Sequence, residues 1–221
     1  MACKASAERP ALTRDRIVDA ATALIERDGL AAFTMRSLGR ELGVSAMAVY
    51  GHFPSRDDLL AAVLTRFMAG LDTDPVPGER WDDTLRRTMG SIYRMEVAHP
   101  QLASIEVNPS AGYAGLAEHT EKIVNLHLAQ GMPEPVLRQA WALVDAYLTG
   151  FVGNTLAMRY WNAQSATESA GKDDAPGRPL WQSIVGDAYT DDAFAHGVEI
   201  IIQGIRSFAA PDPCEWSTPR L

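Results

Sequence analysis

Apolar residues recur at helical spacing along almost the whole chain. Ile17, Ala20, Ala21, Leu24 and Ile25 stand at i, i+3, i+4, i+7 and i+8, which lays one apolar stripe along an α-helix. Thr13 occupies its N-cap position, Arg14-Asp15-Arg16 its first turn and Gly29 its stop. Thr34 predicts the cap of a short helix over 35–42, with Met35, Leu38 and Leu42 on the buried side and Gly43 at the end. A second short helix is expected over about 45–52, closed by Phe53-Pro54. Ser55 then caps a longer helix that carries Leu59, Leu60, Val63, Leu64, Phe67, Met68 and Leu71. Asp57 and Asp58 fall in its first turn, where acids suit the helix dipole.

The stretch DTDPVPGER (72–80) is rich in Pro and Gly and marks a seam. Beyond it the periodicity predicts helices over about 81–97, 100–107, 113–130, 134–161, 179–188 and 191–209. Residues 162–179, polar and breaker-rich, are expected to form a loop. No strand pattern and no internal repeat stand out, so the fold class is all-α. The organisation read from this is a three-helix helix-turn-helix head (1–56) with a connecting helix (55–71), a helical body (72–210) and a tail (211–221).

Composition narrows the function classes. Of 221 residues, 47% are apolar and 22% charged, values of an ordinary globular protein. No apolar run approaches the roughly 18 residues of a membrane span, and the first twenty residues lack a signal-peptide core. Cys3 and Cys214 lie near opposite ends, so a cytoplasmic protein without structural disulfides or membrane contact is expected. The net charge is −8, yet residues 1–56 hold eight basic and six acidic side chains, while the remainder holds 12 and 22. That asymmetry suits a polyanion-facing head on an acidic body.

The informative segment is TMRSLGRELGVSAMAVYGHF, residues 34–53. Two short helices join at Leu42-Gly43-Val44, and Leu38, Leu42, Val44, Val49 and Phe53 would pin them against the first helix. The outer face then presents Ser45, Ala46, Met47, Tyr50, Gly51 and His52, small or polar-tipped as a helix entering a major groove requires. Arg36 and Arg56 flank it as candidate phosphate clamps. On spacing alone, a plain helical corner with surface Tyr50 and His52 fits equally well.

The block RDGLAAFTMRSLGRELGVSAMAVYGHFPSRDDLL (27–60) resembles the DNA-binding head of the TetR (tetracycline repressor) family of bacterial regulators. The resemblance runs without a gap for about fifty residues, through the Thr cap, the LGV turn, the Tyr-x-His-Phe element and the Ser-Arg-Asp-Asp-Leu-Leu helix start. It implies DNA contacts at Thr34, Arg36, Ser45, Ala46, Met47, Tyr50, His52 and Arg56. Gly51 stands where tetracycline repressors commonly carry a tryptophan, so the operator need not be theirs.

The body resembles the C-terminal domain of the tetracycline-repressor branch through Trp81-Asp82-Asp83, Gln130-Gly131 and FAHGVEIIIQGIRSF (194–208). This implies a homodimer, with the contact placed on the 134–161 and 191–209 helices, and a pocket for an unidentified small-molecule effector. The candidates for the pocket are Met89, Ile92, Tyr93, Glu106, Asn125, Trp141 and Asp145. Thr88, Ile92 and Glu106 stand where tetracycline binders carry Asn, Phe and a metal-ligating His, which argues against tetracycline itself. Asp145, in an otherwise apolar helix, is expected to touch effector or to pair with Arg94 or Arg138.

No cofactor and no metal are expected. His119 and His127 are eight residues apart, too far for a chelating pair, and are expected to be solvated or capping. Phosphate loops, nucleophile elbows, HExxH and CxxC are absent, so an enzyme is not expected. Asp82-Asp83 and Asp191-Asp192 read as helix-start caps. The function expected is a ligand-responsive repressor that binds a palindromic double-stranded operator. The rivals are an enzyme or a helical module that binds effector or protein but no DNA.

Overall fold

The computed structural model describes residues 11–105, 114–169, 180, 184–185 and 188–209. Nine helices are bounded among them: α1 (Arg14–Asp28), α2 (Met35–Leu42), α3 (Ala46–Tyr50), α4 (Arg56–Met68), α5 (Trp81–Ala98), α6 (Pro100–Ala103), α7 (Ala114–Ala129), α8 (Glu134–Ser169) and α9 (Asp191–Ala209). No strand occurs among the described residues. The chain divides into two units; one runs through Met68, and the other takes in 69–103 and the residues from 117 onward.

In the first unit, local chemistry sets each helix boundary. The Thr13 hydroxyl accepts from the Arg16 N–H, and Gly29 ends α1 at φ 83°, a conformation glycine adopts without strain. Thr34 and Ser37 form a reciprocal capping box at the start of α2. Ser55 accepts from the Asp58 N–H at 3.0 Å and donates to its carboxylate at 2.7 Å, capping α4. The second short helix is shorter than its expected span at both ends: Ser45 serves as its N-cap, its Oγ accepting from the Ala48 N–H at 3.2 Å, and Gly51 is its C-cap. Helix α1 packs on α2 and α4, and α2 on α3. Ile17, Leu24, Ile25, Leu38, Val49, Phe53, Leu59 and Val63 are buried, whereas Leu42 and Val44 are only half-buried.

In the second unit, α5, α8 and α9 pack pairwise around one core. Trp81, Leu85, Met89 and Tyr93 from α5 meet Leu148, Phe151 and Val152 from α8 and Phe194, Val198 and Ile202 from α9. Tyr93 stacks on Phe194 with centroids 4.0 Å apart, and Phe151 meets both rings edge-on. Helix α8 runs eight residues past its expected end at 161, through the first part of the expected loop. Its extension, NAQSATES, is polar but contains no glycine or proline, and polarity alone does not stop a helix. The second part of that loop lies outside the described residues, as do most of the helix expected at 179–188 and the tail. Helix α6 begins with Pro100 at its first position and ends at Ala103, short of 107. Gly150 and Gly153 face open space, so among the described residues no helix makes the close approach they permit.

Candidate nucleic-acid interface

The helix-turn-helix is held by a glycine at the crossing and one at the turn. Gly43 sits at φ 68°, where a side chain would be strained. A Cβ on Gly39 would lie 3.0 Å from the Val44 carbonyl and 3.1 Å from the Ala46 nitrogen. That crossing fixes α3 relative to α2. Gly39 escaped the sequence reading, although its place one turn before Gly43 was the available signal.

What α3 then presents is small and mostly apolar. Met47 is 75% exposed and Tyr50 41% exposed, while Val49 turns inward. Ala46 is half-buried, Ser45 and Gly51 are exposed, and His52 is half-buried. The His52 carbonyl accepts from Arg14, whose guanidinium also lies 3.9 Å from the Phe53 ring centroid. Arg14 is therefore spent on closing the turn after α3.

The cations sort by what they already hold. Arg27 bridges Asp28 at 2.9 Å and Glu41 at 3.1 Å, and Arg66 pairs with Asp15 and Asp19. Arg56 is exposed but turns toward the Leu30 carbonyl at 3.5 Å and lies 5.6 Å from the Phe33 centroid. Arg36 and Arg40, one turn apart on α2, are exposed and hold no ion pair or hydrogen bond among the described residues. Arg40 was missed as a candidate; its i+4 spacing from Arg36 is the signal that finds it. Thr34, also a candidate, is exposed, with its hydroxyl held in the capping box.

The effector candidates scatter. Met89 and Tyr93 are core residues, Ile92 and Trp141 are half-buried, and Asn125 is exposed. Glu106 lies outside the described residues. Asp145 is exposed, and of its two expected arginine partners Arg138 pairs with Glu134 instead; the Asp145 charge adds to burial in raising the pKa of Glu96 on α5. The Tyr93 hydroxyl donates to the Asp191 carboxylate at 2.8 Å, tying α5 to α9.

The buried charges of this unit were also misread. Asp82 is not a cap but a buried carboxylate within reach of Arg80, Arg86 and Arg206. Burial alone would raise its pKa, but the Arg80 hydrogen bond and the charges of Arg80 and Arg206 outweigh it and hold the carboxyl below its usual range. Arg86 bridges Glu199, a second tie between α5 and α9. Nearby, Arg87 binds Glu79 at 2.7 Å and Asp72 at 2.8 Å, and Thr84 donates to Glu79 while accepting from Gln130 at 2.6 Å. His127 is buried rather than solvated, with Nδ1 3.0 Å from the Ile123 carbonyl; desolvation depresses its pKa. Its other nitrogen and the Gln130 carbonyl oxygen have no partner among the described residues. No cluster of three metal-ligating side chains occurs among the described residues, and no described helix is long and apolar enough to cross a membrane.

A capped helix-turn-helix with unpartnered arginines beside its outer helix, attached to a helical body, defines a DNA-binding regulator. Residues 17–63 match the family model "Bacterial regulatory proteins, tetR family", and residues 74–208 match "Tetracyclin repressor-like, C-terminal domain". The chain belongs to the TetR family of transcription regulators and is not an enzyme. It is 27% identical over 223 residues to the HTH-type transcriptional repressor DrrR1 of Streptomyces coeruleorubidus, covering 91% of this chain and 80% of that one. An HTH-type transcriptional regulator of Saccharopolyspora erythraea is 27% identical over 93% of this chain and 89% of its own. Among solved structures, the Streptomyces coelicolor TetR family protein ActR in complex with (S)-DNPA superposes with a TM-score of 0.67 at 27% identity, covering 90% of this chain and 98% of that one.

Proposed function

We propose that this protein is a homodimeric repressor that binds a palindromic operator and is released by a small-molecule effector. The observation that carries the reading is the exposed Arg36–Arg40 pair on α2, the two head arginines among the described residues left without an internal partner, beside a closed α3. Other head arginines, Arg27 and Arg66 among them, are paired off. Unspent cations next to a groove-sized helix supply the phosphate contacts that set register on a duplex. The relative DrrR1 is named a repressor, which supports the direction of control.

Dimerisation is supported by an exposed face on α8 and α9. Leu143, Gly150, Gly153, Ile200 and Gly204 are exposed, and a Cβ on any of these three glycines would meet nothing among the described residues. A second copy packing there would explain glycines in mid-helix, which otherwise lower helix stability by about 1 kcal/mol each. Effector control is supported by ActR, solved with (S)-DNPA. The pocket proposed for this chain lies within the second unit and draws on Ile92 and Trp141, with Asn125 as a further candidate. Helix α4 is the covalent lead from the head into the body. An effector can release DNA only by its differential affinity for the two states, and the coupling is reciprocal.

The test is a gel shift on DNA flanking the protein's own gene, repeated across a salt series. Wild type is expected to bind with affinity falling steeply with salt. Arg36→Ala should weaken binding on all sequences and flatten the salt slope by about one unit. Tyr50→Ala should weaken binding with the fold intact. Unchanged affinity in both variants removes the recognition assignment, and a monomer at micromolar concentration removes the dimer.

A further inference from the structure

The outer surface of α3 is short of hydrogen-bonding groups for reading bases. Between Ser45 and His52 the residues are Ala46, Met47, Ala48, Val49, Tyr50 and Gly51, among which only Tyr50 carries a polar side-chain atom. The Ser45 oxygen accepts from the Ala48 N–H as the helix cap. No Asn, Gln, Asp, Glu, Lys or Arg stands on this helix to recognise adenine, cytosine or guanine edges. In their place is Met47, the most exposed large apolar residue of the head among those described, and three residues before Tyr50 on the same face.

A thioether chain 75% exposed to water gains nothing in the free protein. The one apolar group that a base pair displays in the major groove is the C5 methyl of thymine. Resting on the DNA-binding reading above, we infer that Met47 is a specificity-determining residue that packs on a thymine methyl. The operator half-site then carries a thymine that is read by burial of its methyl group, with polar readout left to Tyr50 and the Ser45 hydroxyl and phosphate contact to Arg36. Methionine suits the role because its unbranched, polarisable side chain adapts to a shallow apolar patch.

The experiment uses the full-length protein and a tight duplex selected from a random DNA library, with each thymine replaced in turn by deoxyuridine. This removes one methyl group and leaves base pairing and groove donors unchanged. At one position per half-site, wild type should lose about fourfold in affinity, the worth of one buried methyl group, and about fifteenfold when both half-sites are changed. Met47→Ala, a change at an exposed position, should bind the two duplexes alike, while Met47→Leu should keep the sensitivity. Wild-type indifference to every deoxyuridine overturns the inference, as does full sensitivity persisting in Met47→Ala. Failure to select any duplex overturns the DNA-binding reading instead, so the two failures are distinct.

Discussion

Replacing Gly197 by alanine would drive a methyl group into the Tyr147 side chain. A Cβ built at Gly197 falls on the tyrosine hydroxyl, with Cζ at 2.5 Å and Cε2 at 2.9 Å, all inside van der Waals contact. The tyrosine has little freedom to yield. Its hydroxyl donates to the Phe194 carbonyl at 3.0 Å, and its ring lies 5.4 Å from Phe151 and 5.5 Å from Phe194. Swinging it out forfeits that hydrogen bond, about 1 kcal/mol, and aromatic packing of about 1 kcal/mol. Leaving it in place overpacks the α8–α9 crossing, at roughly 1–3 kcal/mol. Against this, alanine regains about 1 kcal/mol of helix propensity in α9. The net expectation is a loss of about 1 kcal/mol, read as a lower urea midpoint at fixed protein concentration with an unchanged m-value. In a Tyr147→Leu background the obstruction is gone, and Gly197→Ala should become neutral or stabilising. If the two substitutions are additive, the crossing is not limited by this contact and the reasoning fails.

Asp82→Ala should destabilise by about 2–3 kcal/mol, below the usual cost of orphaning a buried ion-pair partner because its arginines reach solvent. Asp82→Asn should lose less, because its amide oxygen can still accept from an arginine; equal loss in the two variants would mean that the negative charge carries the whole effect and the hydrogen-bond geometry none. His127 is held neutral by burial, so the native state binds fewer protons than the unfolded chain, and stability should fall as pH drops below about 6.5. That contribution should vanish in His127→Gln; identical pH slopes in urea melts of the two proteins would exclude it. Gly39→Ala should be close to neutral, helix propensity offsetting a tight Cβ, whereas Gly39→Val should abolish DNA binding by parting α2 from α3. Gel shifts alongside circular dichroism check both, and full binding by Gly39→Val would show that the crossing can relax.

The head was legible because its determinants are local. Caps at Thr13, Thr34, Ser45 and Ser55, and the turn glycines Gly29 and Gly43, act over at most four residues, and each appears in the structure where the pattern predicts a boundary or close to it. The body was legible as helices but not as chemistry. Asp82 reads as a helix-start acid in sequence, and only its approach to Arg206, 124 positions away, turns it into the centre of a buried ion cluster. Tyr93 was proposed as an effector contact, yet Asp191, 98 positions on, supplies its hydroxyl with a structural partner. Asp145 pairs with neither expected arginine among the described residues and is exposed: an apolar neighbourhood along the chain does not by itself bury a residue.

The same contrast separates structural from functional polar groups. Arg14, Arg27, Arg66, Arg86, Arg87 and Arg206 each find a partner within their own unit, and their removal should register first in stability. Arg36 and Arg40 find none among the described residues, and Met47 leaves an apolar side chain in water beside them. On the proposed reading these groups meet phosphates and a base methyl in the major groove of duplex DNA, so their removal should register in binding before it registers in stability.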